Sequence, residues 1–276
     1  MNEQRGVEAI RATFAAARAA ERAVLIPYLT IGHPTLERSL ALVDAAIEGG
    51  ADIIELGIPF SDPLADGPVI QRATHAALEG GATVRGCLET AAQLRARHPR
   101  IPFLFMGYLN PIIAFGEAAF CRACREAGVD GLIVPDLPPE EATDIEARCR
   151  ENGLALVYLA APNTPDRRLR IICERSQGYV YLVSVTGTTG SRDSLPSDLP
   201  SFIARVRAIT DGPIAVGFGI STPEHAGAVA RLADGVIVGS AVVERCERDR
   251  AEEEVQTFVS DLRGAMQRDD ELEAGF

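Results

Sequence analysis

Short apolar segments alternate with longer amphipathic segments along the whole chain. Eight apolar segments have the length and β-branched content of strands, and they span residues 23–30, 52–58, 101–108, 131–136, 155–161, 179–184, 213–219 and 235–240. The stretches between them repeat apolar residues at helical spacing, as in 36–51 and 139–153, which reach glycine where a helix would end. Strands that are apolar almost throughout and alternate with helices predict a closed parallel (β/α)8 barrel rather than an open doubly wound sheet.

The two ends of the chain predict helices outside the eight repeats. An extra N-terminal helix is expected over about residues 6–19, before the first strand. From Glu244 onward, apolar residues recur at helical spacing and indicate a final helix on the barrel, followed by a frayed tail; these residues are Val255, Phe258, Val259, Leu262 and Met266. We therefore expect residues 1–276 to form a single α/β TIM-barrel domain, with the C-terminal helix and tail in about 244–276.

Two connections are longer than a strand-to-helix turn needs. One begins at Pro59 after the second strand and reads PFSDPLADGPVIQ, and the other spans 185–201 after the sixth strand. Both leave the carboxyl-terminal ends of strands, the face at which TIM barrels carry their chemistry. We expect both segments to be candidate lids, and the second to be a long mobile loop.

The charged residues exclude several classes of function. The net charge is −12, and all 27 basic residues are arginines, because the chain contains no lysine. Schiff-base aldolases, pyridoxal-phosphate enzymes and Walker-type nucleotide sites all use a lysine amine, so the chain by itself fits none of these classes. So acidic a chain is not expected to bind nucleic acid. It has neither an apolar run long enough to cross a membrane nor an export signal, and we expect a cytoplasmic protein.

The cysteines and histidines do not form a metal-binding pattern. Cys121 and Cys124 lie three residues apart, which places both thiols on one helix face and favours a buried thiol pair over a metal site. The four histidines show neither HxH nor HExxH spacing; they are His33, His75, His98 and His225. We therefore expect no metal in this chain.

Two carboxylates stand out because of where they fall. Glu55 interrupts the apolar strand DIIELGI near its carboxyl-terminal end, where alternate side chains point into a barrel mouth. Asp66 follows in a loop rich in proline and glycine, which allows the chain to turn it toward Glu55. Each has an ordinary alternative, because Glu55 could pair with backbone or an arginine and Asp66 could be a solvated turn residue. We hypothesise that burial among Ile53, Ile54 and Leu56 raises the pKa of Glu55 and makes it a usable acid near neutral pH.

Glycine-rich segments end three consecutive strands. They are TGTTG at 186–190, GFGIS at 217–221 and GS at 239–240. Their backbone N–H groups could converge on an anion, and the last loops of TIM barrels commonly bind phosphate in this way. Ser221 and Glu224 have capping-box spacing for the following helix, and the GS pair is expected to open another helical turn. A phosphate site of this kind requires no lysine.

Several motifs together resemble one family over about residues 5 to 265. The strings ELGIPFSDPLADGPVIQ, LAAPNTP, VTGTTG, GFGIS and VGS are similar to those of the α subunit of tryptophan synthase. The resemblance implies a lyase that cleaves a phosphate ester, indole-3-glycerol phosphate, to indole and glyceraldehyde 3-phosphate. It also implies that indole passes to a pyridoxal-phosphate β subunit for condensation with L-serine, in an αββα heterotetramer. No cofactor is implied in this chain itself.

The resemblance also implies roles for individual residues. Glu55 would be the general acid and base, Asp66 would accept a hydrogen bond from the indole N1–H, and Tyr181 would lie beside the substrate. The phosphate would lie on Gly190, Gly219, Gly239 and Ser240, and the indole pocket would contain Tyr28, Ile70, Met106, Tyr108, Ile133 and Phe218. With neither lysine nor a metal motif, the indole ring itself must become the electron sink, by protonation at C3.

Three alternatives remain at this point. The chain could be a stand-alone lyase that releases free indole, with the same chemistry and no β partner. It could be another phosphate-binding barrel such as indole-glycerol-phosphate synthase, but a resemblance to that family would require catalytic lysines, and this chain has no lysine. It could also be a non-catalytic subunit that only activates a β partner, although Glu55 and Asp66 argue against this.

Overall fold

The computed structural model describes residues 5–183, 195–217 and 219–267. Within these ranges, nine strands form one sheet, and each strand runs parallel to its paired neighbours. The strands are β1 (Val24–Thr30), β2 (Ile54–Gly57), β3 (Phe103–Met106), β4 (Gly131–Ile133), β5 (Ala155–Val157), β6 (Leu159–Ala160), β7 (Val180–Val183), β8 (Ile214–Gly217) and β9 (Gly235–Val238).

The sheet is surrounded by twelve α-helices in the described part of the chain. They are α1 (Val7–Ala19), α2 (Leu36–Glu48), α3 (Pro68–Glu79), α4 (Val84–Arg97), α5 (Leu109–Phe115), α6 (Glu117–Glu126), α7 (Thr143–Glu151), α8 (Asp166–Arg175), α9 (Leu199–Arg207), α10 (Pro223–Ala230), α11 (Ser240–Cys246) and α12 (Ala251–Ala265). A 3₁₀ turn occupies Pro139–Glu141. None of the described helices is long and apolar enough to cross a membrane.

The predicted barrel is confirmed, but its fifth strand is divided in two. The strand order is β5-β4-β3-β2-β1-β9-β8-β7-β6, and the strands at its two ends are joined through the single residue Tyr158. The N–H of Tyr158 donates to Ser176 Oγ (3.1 Å), and its carbonyl accepts from Tyr181 N (3.1 Å). The chain therefore changes partner from β4 to β7 at this residue, which completes the ring. The prediction of one continuous strand over 155–161 was wrong for this reason.

The helices at the two ends of the chain agree with the sequence pattern. The extra N-terminal helix is α1, and its Phe14 packs into the interior of the barrel. The predicted final helix is α12, which follows the shorter α11. The predicted tail at 268–276 and the segment 184–194, the first part of the predicted mobile loop, lie outside the described residues.

The core has two layers, separated by the sheet. Alternate strand residues point into the barrel or out toward the helices. In β2 and the residue before it, Ile53 belongs to the interior layer, whereas Ile54 and Leu56 belong to the layer between sheet and helices. The residue between them, Glu55, therefore faces the barrel interior.

Polar side chains fix the amino-terminal ends of several strands. In each case, a side chain shortly before a later strand accepts the N–H of the first or second residue of an earlier strand. The four bonds are Leu25 N to Asp52 Oδ2 (2.8 Å), Phe103 N to Asp130 Oδ2 (3.0 Å), Leu156 N to Gln177 Oε1 (3.2 Å) and Ile214 N to Asp234 Oδ2 (2.8 Å). The three aspartates also form ion pairs with arginines. These contacts hold the register of the barrel at the end opposite to the catalytic face.

The six cysteines are free thiols, and five of them are buried. Cys121 and Cys124 lie on α6 with no exposed surface, which confirms the predicted burial. In the described residues, no group of three or more histidine, cysteine or acidic side chains is arranged to hold a metal ion.

Candidate active site

A cavity opens at the carboxyl-terminal ends of the strands. Its wall contains many of the residues that the sequence singled out, namely Tyr28, Asp66, Ile70, Met106, Tyr181, Gly219, Gly239 and Ser240. Six further residues complete the wall, and they are Gly217, Ile220, Ser221, Ile237, Ala241 and Glu244. Glu55, Tyr108 and Ile133 do not lie on the wall. Gly190 and Phe218 lie outside the described residues.

Glu55 lies in the barrel interior, next to the cavity but not on its surface. Its side chain is fully buried, and Tyr179 Oη donates a hydrogen bond to Oε1 (2.9 Å). Within the described residues, Oε2 has no hydrogen-bond partner. Burial raises the pKa of Glu55 to about 8, against the opposing effect of the Tyr179 bond. The predicted direction is confirmed, but the predicted surroundings were wrong, because Ile54 and Leu56 point away from Glu55 to the helices.

Tyr179 is the functional neighbour that the sequence did not reveal. It precedes β7 and shares the inward orientation of Tyr181, whose ring lies 6.5 Å away between centroids. The alternation of the strand showed that both tyrosines share a face. It did not show that Tyr179 reaches across the barrel to β2, because that contact joins residues 124 positions apart.

Asp66 is held at the cavity wall by Tyr108. The hydroxyl of Tyr108 donates to Asp66 Oδ2 (3.0 Å) and accepts from Ala65 N (3.0 Å), so one side chain fixes both residues of the loop. Burial raises the pKa of Asp66 to about 6, and the Tyr108 bond opposes that rise. Tyr108, predicted to contact the indole ring, therefore lies behind Asp66 rather than on the wall. Ile133, predicted for the same pocket, is fully buried in the interior layer.

Two glycines make room for the tyrosines of the wall. A Cβ at Gly57 would lie 2.0 Å from Tyr28 Oη, and a Cβ at Gly217 would lie 2.7 Å from Tyr181 Oη. Both distances are far below van der Waals contact, so any larger residue would displace a tyrosine. Thr30 Oγ1, on the same strand, donates to Tyr28 Oη (3.3 Å) and helps to fix its hydroxyl. Glycine at the ends of β2 and β8 therefore shapes the cavity.

Gly219, Gly239 and Ser240 form a part of the cavity wall that is suited to an anion. Gly219 has a positive φ of 43°, and Gly239 directly precedes α11, whose first N–H groups have no partner within the helix.

The predicted capping box at α10 was wrong by one residue. Thr222 is the N-cap and accepts from His225 N (3.3 Å), because Ser221 lies on the cavity wall instead.

The two carboxyl groups differ in ionisation near neutral pH. With a pKa of about 8, Glu55 keeps its proton, whereas Asp66, with a pKa of about 6, has lost its own. A pair of titratable groups with separated pKa values is typical of an acid and a charge-stabilising carboxylate in one active site. The arrangement can protonate a ligand with one group and stabilise a positive charge with the other.

Replacing Glu55 with glutamine should stabilise the protein at alkaline pH. The folded-state pKa of about 8 lies above the ordinary value of 4.5, so stability falls as the pH rises between these values. Glutamine is neutral throughout and still accepts from Tyr179. We expect Glu55→Gln to exceed the wild type by roughly 1–4 kcal/mol in free energy of unfolding at about pH 9, and by little at about pH 4.5. Urea unfolding at both pH values measures this, and identical pH dependence of the two proteins would contradict it.

The chain is similar to known proteins over most of its length. The family model described as tryptophan synthase alpha chain matches residues 14–269. The tryptophan synthase alpha chain of Dehalococcoides mccartyi is 49% identical over 89% of this chain and 96% of its own length, and that of Chloroflexus aggregans is 48% identical over 94% and 98%. A solved structure of Mycobacterium tuberculosis tryptophan synthase superposes with a TM-score of 0.87 at 39% identity, covering 93% of this chain and 97% of that one. The chain therefore belongs to the tryptophan synthase alpha chain family, a family of lyases in tryptophan biosynthesis.

Proposed function

We propose that the chain cleaves indole-3-glycerol phosphate to indole and glyceraldehyde 3-phosphate in a retro-aldol reaction. The observation that carries the proposal is a pair of carboxyl groups at one cavity: Glu55 is buried beside it against Tyr179, and Asp66 lies on its wall and is held by Tyr108. Burial raises the pKa of Glu55 to about 8 and that of Asp66 to about 6, which suits the first to keep its proton near neutral pH and the second to be ionised. In this reaction a proton is added to C3 of the indole ring, and a proton leaves the glycerol hydroxyl as the carbon–carbon bond breaks. The bonding electrons return to the ring, which is released as indole.

Glu55 supplies the proton to C3 in this proposal and takes one from the glycerol hydroxyl. It is suited to both tasks because a pKa of about 8 allows it to donate and accept protons near neutral pH. Since Glu55 is not on the cavity wall, its side chain must turn away from Tyr179 to reach the substrate. The Oε2 atom, which has no hydrogen-bond partner in the described residues, is the atom that such a turn would present first.

Asp66 accepts the hydrogen bond of the indole N1–H in this proposal. Protonation at C3 places a positive charge on the ring, and an ionised carboxylate that is half-buried on the cavity wall stabilises that charge more than water does. Tyr108 supports the proposal, because its bonds to Asp66 and Ala65 keep the carboxylate from turning toward solvent. Ile70, Met106 and Ile237 provide apolar wall against which an indole ring can pack.

The phosphate is captured by backbone groups in this proposal. The chain has no lysine, so the anion must rely on N–H groups, hydroxyls or arginine. Gly219, Gly239 and Ser240 all lie on the cavity wall, and Ser240 is the first residue of α11, where a helix offers N–H groups to an anion. Gly190 completes this set in the sequence prediction and lies outside the described residues.

Cleavage by the purified chain tests the proposal. Glu55→Gln should lower kcat by about 10²–10⁴-fold, which corresponds to about 3–5 kcal/mol, because glutamine cannot transfer a proton. Release of indole from indole-3-glycerol phosphate measures the rate, and Glu48→Gln, at an exposed position on α2, is the matched control. If Glu55→Gln turns over at nearly the wild-type rate, Glu55 is not the acid. If the wild type is inactive both alone and with a cognate β subunit, the proposed reaction itself fails.

We further propose that a tryptophan synthase β subunit docks beside the cavity, in an αββα heterotetramer. Leu64 is 92% exposed and Ile113 is 54% exposed, an unusual state for large apolar side chains. Leu64 lies in the loop after β2 and Ile113 in α5, and Tyr108 joins these elements through its bond to Ala65 N and its contact with Phe60 (5.3 Å between ring centroids). These exposed residues are next to the site from which indole would leave. Pyridoxal phosphate would belong to that partner.

Replacing Leu64 with aspartate should weaken binding of the β subunit by about ten-fold or more, because a buried apolar anchor is lost and a charge is desolvated. Calorimetric titration of the chain with the cognate β subunit measures the affinity, and the mass of the complex in sedimentation gives the stoichiometry. The control is Leu232→Asp, which is 42% exposed at the opposite end of the barrel and should leave the affinity unchanged. Equal affinity of Leu64→Asp and wild type would place the interface elsewhere.

Activity assays of the chain alone, and then with increasing amounts of the cognate β subunit, separate the remaining alternatives. Mutual activation supports the α subunit role, full activity of the chain alone supports a stand-alone lyase, and activation of the partner without cleavage supports a non-catalytic subunit.

We propose that the reaction takes place in the cytoplasm. All six cysteines are unpaired, as is usual for proteins in that reducing compartment.

A further inference from the structure

Ser221 lies on the cavity wall but has no part in the mechanism described above. It shares that wall with Gly219, Gly239 and Ser240, and its Oγ is 3.5 Å from Nδ1 of His225. Both residues are half-buried. A residue of the cavity wall therefore has a hydroxyl next to an imidazole nitrogen.

We propose that His225 is a positioning residue that turns the Ser221 hydroxyl toward the phosphate of the substrate. The inference rests on the proposed function, and it deepens the phosphate site by adding a side-chain donor to the backbone N–H groups. Ser221 is then the group that touches the phosphate, and His225 acts through it.

The number of protons decides the direction of the bond. A serine hydroxyl has one proton to donate and can accept at the same time. When Nδ1 of His225 carries a proton, it donates to Ser221 Oγ, and the hydroxyl proton is free for a phosphate oxygen. When Nδ1 is bare, the hydroxyl donates to the ring and points its lone pairs at the cavity. An anion in the cavity favours the first arrangement, in which Nδ1 is the donor.

The start of α10 holds the two side chains in place. Thr222 is the N-cap and accepts from His225 N (3.3 Å), so His225 lies in the first helical turn, four residues after Ser221. Because Thr222 performs the capping, Ser221 does not need its hydroxyl for the helix. The shift of the cap by one residue is what leaves Ser221 available to a ligand.

The charges around the pair make such a donor useful. Glu244 of α11 lies on the same cavity wall, and Glu224 of α10 interacts electrostatically with His225. A phosphate that enters this region meets a carboxylate as well as N–H groups, in a chain of net charge −12. An additional donor backed by imidazole offsets part of that repulsion.

Steady-state kinetics of four variants and one control tests the proposal. His225→Ala and Ser221→Ala should each raise KM for indole-3-glycerol phosphate about three- to ten-fold at unchanged kcat. The reason is that one hydrogen bond to the phosphate is lost equally from the bound substrate and from the transition state. The double variant should resemble either single variant, because both changes remove the same bond. His225→Asn should keep KM within about two-fold of the wild type, since its side-chain N–H can replace Nδ1. The control is His75→Gln, whose ring is 75% exposed on α3.

Binding of sulfate tests the same inference without the reaction. Sulfate stands in for the phosphate group, and its calorimetric Kd should rise by a similar factor in His225→Ala and Ser221→Ala but not in His75→Gln. A wild type that cleaves the substrate, with KM and sulfate affinity unchanged in both alanine variants, overturns the inference and leaves the proposed function intact. Additive effects in the double variant overturn it as well, because His225 would then act independently of Ser221. Failure of the wild type to cleave the substrate counts against the proposed function alone, since the sulfate result stands on its own.

Discussion

The removal of Glu55 from water is the interaction on which the chemistry of this site depends. A carboxyl group that faces the interior of a parallel barrel has little around it except apolar side chains and tyrosines, and it gains one hydrogen bond, from Tyr179. The cost of burying its charge exceeds the benefit of that bond, so the neutral form is favoured and the pKa rises to about 8. The same burial that makes Glu55 a weak point for stability at alkaline pH makes it an acid and base suited to neutral pH.

The rest of the barrel supports this arrangement from its two ends. At the amino-terminal ends of the strands, Asp52, Asp130 and Asp234 accept backbone N–H groups and pair with arginines, so polar groups there are fully used in holding the register. At the carboxyl-terminal ends of the strands, several positions are glycines, which have no side chain to fill the space. Gly57 and Gly217 leave space for tyrosine rings, and Gly219 and Gly239 expose backbone to a ligand. The contacts that hold the barrel together and the residues that bind a ligand are thus concentrated at opposite ends of the barrel.

Much of this could be predicted from the sequence, because the main signals are periodic or local. The alternation of apolar and amphipathic segments predicted the barrel, and the carboxylate in an apolar strand indicated Glu55. Contacts between distant segments carried no such signal. The bond from Tyr179 to Glu55 and the support of Asp66 by Tyr108 depend on the closed barrel, which brings residues from different strands together. The same limit explains the error about Ile54 and Leu56, which are neighbours of Glu55 in sequence and lie on the other face of the strand.

The sequence pattern also could not decide between local alternatives at the start of α10 and in the fifth strand. Ser221 and Thr222 are both good N-cap residues, and only the path of the chain into the cavity decides that Thr222 takes this role. Tyr158 interrupts the fifth strand because its N–H bonds to Ser176 Oγ, a choice that depends on the neighbouring β7. In both places the local sequence is compatible with two arrangements, and tertiary contacts select one.

The most direct measurement of the central claim is the pH dependence of kcat/KM for indole release by the wild type and by Asp66→Asn. If burial keeps Glu55 protonated, the wild-type profile falls on the alkaline side with a midpoint near pH 8 and on the acid side near pH 6. The alkaline limb should remain in Asp66→Asn, while the part of the acid limb that belongs to Asp66 rather than to the substrate phosphate disappears. A profile that stays level to about pH 10, with an acid limb near the ordinary glutamate value of 4.5, would contradict the role of the buried Glu55.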